Sequence, residues 1–473
     1  MIDRLLIFGG TGDLAGRFLL PAIAELFAEG ALPHSFQIVG TGQSGSSDDD
    51  FRRRVAERLD EHAKDVPPAA RQQLLGRLRY GRVGIGTENA ANDVRALLDD
   101  SSWALAGDAA RPIAAYLALP PGLFVPAVRA LGEVGLPHGS RIVVEKPFGE
   151  SLEDARDLNR LLRDVTGDAG ENAVFRADHV LGMATVQNLL GVRLANRIIE
   201  PLWNATHIEQ VEIRWEETLA LEDRAGYYDR NGALKDVMQN HMLQILALVA
   251  MEPPLTLNDR DLRDRKVEAL RTVCPPPRHE MRQCTRRARY TAGRLAGTGD
   301  AADRDVPDYA AEDGVDPDRR TETFAEVALT LDSWRWAGTK FVLRAGKAMA
   351  ERWKGVVIRF RPVPHLPFDA PIPAANELRI GLDGPEGLSL HLSGSRPGPP
   401  PELVPVVLGA ELPAPELRAY GQVLRDVLEG RCTLSIRGDE AEEAWRIMTP
   451  VIQAWAADDV PLEEYPAGSA GPA

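Results

Sequence analysis

The chain has 473 residues, of which 44% are hydrophobic and 26% charged, with a formal net charge of −15. That length exceeds one ordinary hydrophobic core, so two domains are expected, and the composition is that of a globular protein. The acidic balance, with an isoelectric point near 5.2, argues against nucleic acid or an anionic membrane as partner, and no apolar run reaches the roughly 18 residues that span a bilayer.

Arg4 to Phe8 is a short apolar run of the kind buried in a parallel strand. Gly9-Gly10-Thr11-Gly12-Asp13-Leu14-Ala15 follows it, and a helical pattern runs from Arg17 to Ala28. Strand, glycine turn and helix in that order let backbone N–H groups approach a pyrophosphate at a helix N-terminus. The spacing is G-x-x-G-x-x-A rather than G-x-G-x-x-G. Phe36 to Gly40 reads as the second strand and leads into Thr41-Gly42-Gln43-Ser44. Ala114 to Leu119 is another strand, closed by Pro120-Pro121. Arg141 to Val144 is a further one, followed by Glu145-Lys146-Pro147-Phe148-Gly149. Ser151 to Asp154 has the S-x-x-D form of a helix start. Lysine occurs only at 64, 146, 235, 266, 340, 347 and 354. Arginine is the default cation here, so a lysine inside a motif suggests function.

Asp178 and His179 stand side by side in Phe175 to Met183. Ile208 to Trp215 alternates like a strand, and Glu217 follows closely. Gly226 to Pro254 is the most informative stretch. After the Asn231-Gly232 turn signal, Leu234, Val237, Met238, Leu243, Ile245, Leu246 and Leu248 make a helix apolar over most of its girth, as in a buried helix. It nevertheless carries Asp236, Gln239, Asn240, His241 and Gln244. Asp236, Asn240 and Gln244 recur at i, i+4. Buried polar groups need partners, so this helix reads as the wall of a polar site. Thr323 to Leu331 alternates as a strand, Pro397 to Pro405 reads as a Pro-rich loop, and residues 466–473 are expected to be a disordered tail. Cys274, Cys284 and Cys432 lack metal spacing. An odd count with no signal peptide points to reduced thiols in the cytoplasm.

The motifs GGTGDLA, YLALPP, EKPFG, GYYD…QNH…AMEPP and RWAG…LRAGK together resemble the glucose-6-phosphate dehydrogenase family over nearly the whole chain. The resemblance implies an α/β plus α+β architecture. Residues 1–177 would form a Rossmann-type doubly wound domain. Residues 178–465 would form a larger α+β domain with an extensive antiparallel sheet, and the family's sheet face implies a homodimer or tetramer. The implied reaction oxidises the C1 hydroxyl of glucose 6-phosphate, or of a closely related hexose, to the δ-lactone with hydride transfer to NAD or NADP. His241 is implied as the base, with Asp178 accepting its other ring N–H and Lys146 bonding the reacting oxygen. His179, Glu217, Asp236, Lys347 and Arg352 are implied contacts of the sugar substrate. Gly9, Gly10, Thr11, Gly12, Asp13, Leu14, Gln43, Pro120 and Lys146 are implied to border the coenzyme, and no metal is expected.

The departures from the family pattern carry information. Gly16 stands where the family has a substrate-reaching lysine. Gln43 replaces the arginine that grips the 2′-phosphate of NADP. Losing a charge-assisted bond costs about 1.5–3 kcal/mol, so NAD is favoured, with Arg52, Arg53 and Arg54 on the next helix available to compensate. Val180 and Met183 replace a tyrosine and a lysine of the phosphate site. Asp383 stands where a glutamine is common. An alternative is therefore a dehydrogenase of unphosphorylated glucose or another modified sugar. A catalytically silent regulatory partner is the alternative of another class, disfavoured because Asp178, Lys146 and His241 are all present.

Overall fold

A computed structural model describes residues 1–99, 111–222, 225–297, 302–368, 373–383, 387–399, 401–412 and 415–473. The chain divides into two compact units. The first comprises Met1–Met183, Pro254–Asp264 and Pro415–Glu442, and the second Ala184–Pro253, Arg265–Ala414 and Glu443–Ala473.

The first unit is built on six parallel strands, β1 (Arg4–Phe8), β2 (Gln37–Gly42), β3 (Leu78–Arg82), β4 (Ala114–Leu117), β5 (Arg141–Glu145) and β6 (Val174–Ala177). They lie in the order β6-β5-β4-β1-β2-β3, and Ser435–Ile436 adds an antiparallel strand beside β6. This is the doubly wound order, whose direction reverses between β1 and β4 and leaves a crevice at the strand ends. All five residues of β1 are buried, as a strand covered on both faces requires. Leu5, Ile7, Ile38, Phe51 and Val143 pack there with Leu424, Val427 and Leu428 from the C-terminal stretch.

The expected domain boundary at residue 177 thus differs from the observed division. Residues 178–183, 254–264 and 415–442 join the first unit. Cys432 N–H donates to Asp259 Oδ2 at 2.8 Å, and Ile2 N–H donates to Leu428 O at 2.7 Å. These bonds join segments far apart in the chain, which local periodicity cannot register.

The second unit holds a ten-stranded, mostly antiparallel sheet. Its centre is β7 (Ile208–Glu216), parallel to Lys340–Gly346 and antiparallel to Trp353–Phe360. The expected Pro397–Pro405 loop is shorter than its proline content suggests. Leu388–Arg396 and Glu402–Ala410 form a hairpin in which Pro405 sits opposite Ser393. The second of these strands lies at the edge of the sheet, where a missing N–H is tolerated. The expected disordered tail is also corrected. Gly468 N–H donates to Ala348 O and Ala350 N–H to Ser469 O, both at 2.8 Å. A Cβ on Gly468 would meet Arg294 O at 2.0 Å, so the small residues there reflect close packing rather than disorder.

The polar helix is broken where the sequence marks a turn. Ala225–Ala233 is helical up to Gly232, which adopts φ 62° and ψ −178°. The next segment, Leu234–Met242, is π-wound: Leu243 N–H donates to Met238 O, five residues back. The i, i+4 stripe assumed an α-helical period, and the wider turn, with its backbone bond reaching five residues back, changes it. Asn240 Nδ2 accordingly donates to Lys235 O at 2.8 Å.

A Cβ on Gly232 would stand 2.2 Å from Glu322 Oε1, in addition to the positive φ. Gly232→Ala is expected to cost at least the roughly 1–3 kcal/mol of backbone strain, read as a lowered thermal midpoint. An unchanged midpoint would show that the junction relaxes freely.

Candidate active site

The predicted functional residues fall on both units. On the first, β1 delivers the chain into a turn whose first two positions tolerate only glycine. Gly9 has φ 79°, and a Cβ there would lie 2.2 Å from Ala118 O. At Gly10 it would lie 2.6 Å from Gly40 Cα. Gly12 N–H donates back to Gly9 O at 2.9 Å. The following turn is π-wound, with Leu20 N–H donating to Ala15 O. The turn exposes Thr11, Gly12 and Asp13 with Leu14 half-buried, and a cavity of about 350 Å³ lies beside it. This bare backbone cradle fits a dinucleotide pyrophosphate. Gln43 is exposed, and its amide donates to Ile85 O at the long distance of 3.5 Å. Pro120 opens a short turn after β4.

Lys146 directly follows β5, at a cis bond to Pro147. Its neighbour Glu145 is buried and accepts from Tyr116 Oη at 2.5 Å. Burial pushes the Glu145 carboxyl up to about 7, opposed by the Tyr116 hydrogen bond and the Lys146 ammonium and reinforced by the Asp178 charge. Asp178 is buried and caps its turn by accepting from Val180 N at 3.1 Å. The His179 ring stacks on Tyr420, 5.3 Å between centroids at 13°. Val180 is fully buried, so this replacement of the family tyrosine belongs to the core of the unit.

On the second unit, the polar residues of the π-wound segment are buried as the sequence predicts, with His241 only 2% exposed. Its ring stacks on Trp215 at 5.5 Å and 25°. Trp215 in turn donates from Nε1 to Glu217 Oε1 at 3.3 Å. Glu217 is the hub of a charge cluster: Lys347 Nζ bonds one of its oxygens at 2.7 Å and Lys354 Nζ the other at 3.0 Å. Lys354 also lies 4.3 Å from the Trp215 ring centroid and 3.6 Å from Asp383. Arg352 Nε donates to Asp383 at 3.0 Å. Asp236 accepts from Tyr227 Oη at 3.4 Å. Burial raises the Glu217 carboxyl, but the two ammonium groups and their hydrogen bonds outweigh it and hold it at about 2.

The structure thus gathers Glu217, Lys347, Arg352 and His241 around Trp215 and Asp383. Asp236 lies on the His241 segment but bonds separately to Tyr227. Sequence reasoning missed Lys354, Trp215 and Tyr227. The scarcity of lysine, which singled out Lys146 and Lys347, applied equally to Lys354. Trp215 and Tyr227 carried no comparable signal.

Comparison with known proteins gives a consistent result. The family described as glucose-6-phosphate dehydrogenase, NAD binding domain, matches residues 6–188, and its C-terminal domain matches residues 190–473. A glucose-6-phosphate 1-dehydrogenase of Treponema pallidum is 38% identical over 99% of this chain and 92% of its own length. One from Mycolicibacterium smegmatis is 38% identical over 98% and 93%. Among solved structures, a glucose-6-phosphate dehydrogenase in complex with glucose-6-phosphate superposes with a TM-score of 0.86 and 30% identity, covering 100% of this chain and 96% of that one. The enzyme from Mycobacterium avium gives 0.83 and 32%, covering 100% and 95%.

The Glu217 cluster has a measurable signature. Its folded pKa lies below the ordinary 4.5, so the ionised form stabilises the fold above about pH 4.5, and that contribution is lost as pH falls to about 2. Glu217→Gln should remove roughly 3 kcal/mol of stability at neutral pH. It should also flatten the fall in stability between pH 4.5 and 2, followed by urea unfolding at successive pH values. An identical pH profile for wild type and variant would contradict the assignment.

Proposed function

The chain belongs to the glucose-6-phosphate dehydrogenase family, and on that footing we propose that it oxidises the C1 hydroxyl of glucose 6-phosphate to the δ-lactone, with hydride passed to NAD or NADP. The observation that carries this reading is His241, buried on a π-wound segment and stacked on Trp215, whose indole bonds the Glu217 cluster. π-wound turns recur at functional sites. His241 takes the hydroxyl proton, since imidazole is the side chain that changes protonation near neutrality. Asp178 orients and stabilises the imidazolium, as an aspartate does for the histidine of a hydrolase triad. Lys146 donates to the reacting oxygen. Glu217 and Asp236 accept from sugar hydroxyls, while His179, Lys347 and Arg352 supply donors for the phosphate. The roles of Asp178, Lys146 and His179 rest on the family motifs that these residues match. The nicotinamide coenzyme supplies the hydride acceptor when bound. Its pyrophosphate is assigned to the Gly9–Leu14 turn and its ribose to the Gln43 end of β2. Gln43 taken alone favours NAD, since an uncharged amide does not neutralise a 2′-phosphate.

A second reading is an unphosphorylated hexose as substrate. Val180 is buried, Met183 carries no charge, and Arg352 is already engaged by Asp383. Self-association through the large sheet suits Val406, Val407 and Leu408, which are exposed. A reducing cytoplasm suits the three free thiols.

Initial rates with glucose 6-phosphate and with glucose, each with NAD and with NADP, test the reading. Glucose 6-phosphate is expected to exceed glucose in kcat/KM, and the reverse order would select the second reading. His241→Asn should lower kcat on the order of 100- to 10,000-fold with intact coenzyme binding. Asp178→Asn should lower kcat in the same direction. Undiminished turnover in His241→Asn would eliminate it as the base.

A further inference from the structure

We propose that Arg54, on the helix Asp48–His62, binds the 2′-phosphate of NADP and so gives this chain a phosphate anchor that Gln43 cannot provide. The proposal rests on the dinucleotide reading of the glycine turn. The cavity beside that turn is bounded by Gly10, Thr11 and Gly12 on one side and by Phe51, Arg54 and Arg58 on the other. A Cβ on Gly42, the last residue of β2, would lie 3.4 Å from Thr11 Oγ1. The cavity therefore adjoins the end of the second strand, where a doubly wound fold receives the adenosine ribose.

The three consecutive arginines at the start of this helix are not equivalent. Arg52 turns to β3, donating to Leu78 O at 2.8 Å and pairing with Asp49 at 3.0 Å. Arg53 pairs with Asp50 at 3.0 Å. Arg54 alone of the three lines the cavity. Its Nη2 donates to the Ser46 hydroxyl at 2.8 Å, which places its guanidinium over the loop that follows β2. Among the described residues, no carboxylate pairs with it. A guanidinium held by one neutral acceptor keeps most of its five donors for a phosphate.

Arg58, one turn on, depends on Gly16. A Cβ at residue 16 would come within 3.1 Å of Arg58 Cγ and 3.4 Å of its Nε. The glycine thus leaves room for the arginine stem to cross the first helix, at the position where the family carries its lysine. Glu61 lies 3.4 Å from Arg58, and Glu57 lines the same wall. Arg58 is therefore shared with Glu61, and Arg54 is the principal anchor.

The test separates phosphate recognition from dinucleotide recognition. Binding of adenosine 2′,5′-bisphosphate and of AMP is measured by titration calorimetry on the wild type, Arg54→Gln and Arg58→Gln, alongside KM for NAD and NADP. Arg54 is exposed, so its replacement leaves the core intact. The wild type should bind the bisphosphate more tightly than AMP. Arg54→Gln should lose about ten- to a hundredfold for the bisphosphate and for NADP, with AMP and NAD changed less than about twofold, and Arg58→Gln should lose less. A wild type that binds AMP but does not prefer the bisphosphate overturns the proposal and leaves the dinucleotide reading standing. So does an Arg54→Gln variant that weakens both ligands equally or neither. Failure of both ligands to bind removes the dinucleotide reading and the proposal together.

Discussion

Leu234 N–H donates to the carboxylate of Glu322 at 3.0 Å, and the polar wall of the second unit starts from that bond. A helix that begins inside a protein leaves N–H groups with no acceptor of its own, and an unmade buried hydrogen bond costs about 1–3 kcal/mol. Gly232 is the counterpart, because only a residue without a side chain lets the Glu322 carboxylate approach so closely. Burial raises the Glu322 carboxyl to about 7, against its backbone hydrogen bonds and the nearby Arg287 and Lys235. The junction concentrates several costs in a few residues: a left-handed backbone, a desolvated acid and a widened helix. Such costs persist where the surrounding structure over-determines them, and they gather at functional sites.

The widened winding has a consequence for His241. The π-wound segment brings the Asn240 amide to Lys235 O, five residues back, so that its side chain supports the turn from within. Trp215, on the central strand β7, then backs the imidazole with a flat, rigid surface. A base stacked on an indole has little rotational freedom, which is the preorganisation that proton transfer requires.

Charge placement follows a similar economy. Two of the chain's few lysines bracket one carboxylate, Glu217, and a second acid, Asp383, shares Lys354 with Arg352. The cluster is partly desolvated, so these pairs count for more than surface pairs of the same geometry. On the first unit the equivalent economy is steric. Gly9 and Gly10 bring backbone against backbone at the strand ends, and Gly16 admits the stem of Arg58. Small residues there act by what they leave open.

The sequence by itself determined the first strands, the glycine turn and the buried polar helix, each from a local pattern: an apolar run, a glycine spacing, or a polar residue where periodicity demands an apolar one. The doubly wound unit and most candidate residues were legible through the motifs that resemble the family. Tertiary structure alone decided the rest. Residues 254–264 and 415–442 join the first unit through bonds such as Cys432 to Asp259. Residues 466–473 are held by Ala348 and Ala350. Of three adjacent arginines, only Arg54 lines the cavity, and Lys354 enters the Glu217 cluster beside Lys347. The reason is physical. Periodicity reports which face of an element is buried, but not which distant segment covers it. A charge commits to a partner only when folding brings one within reach.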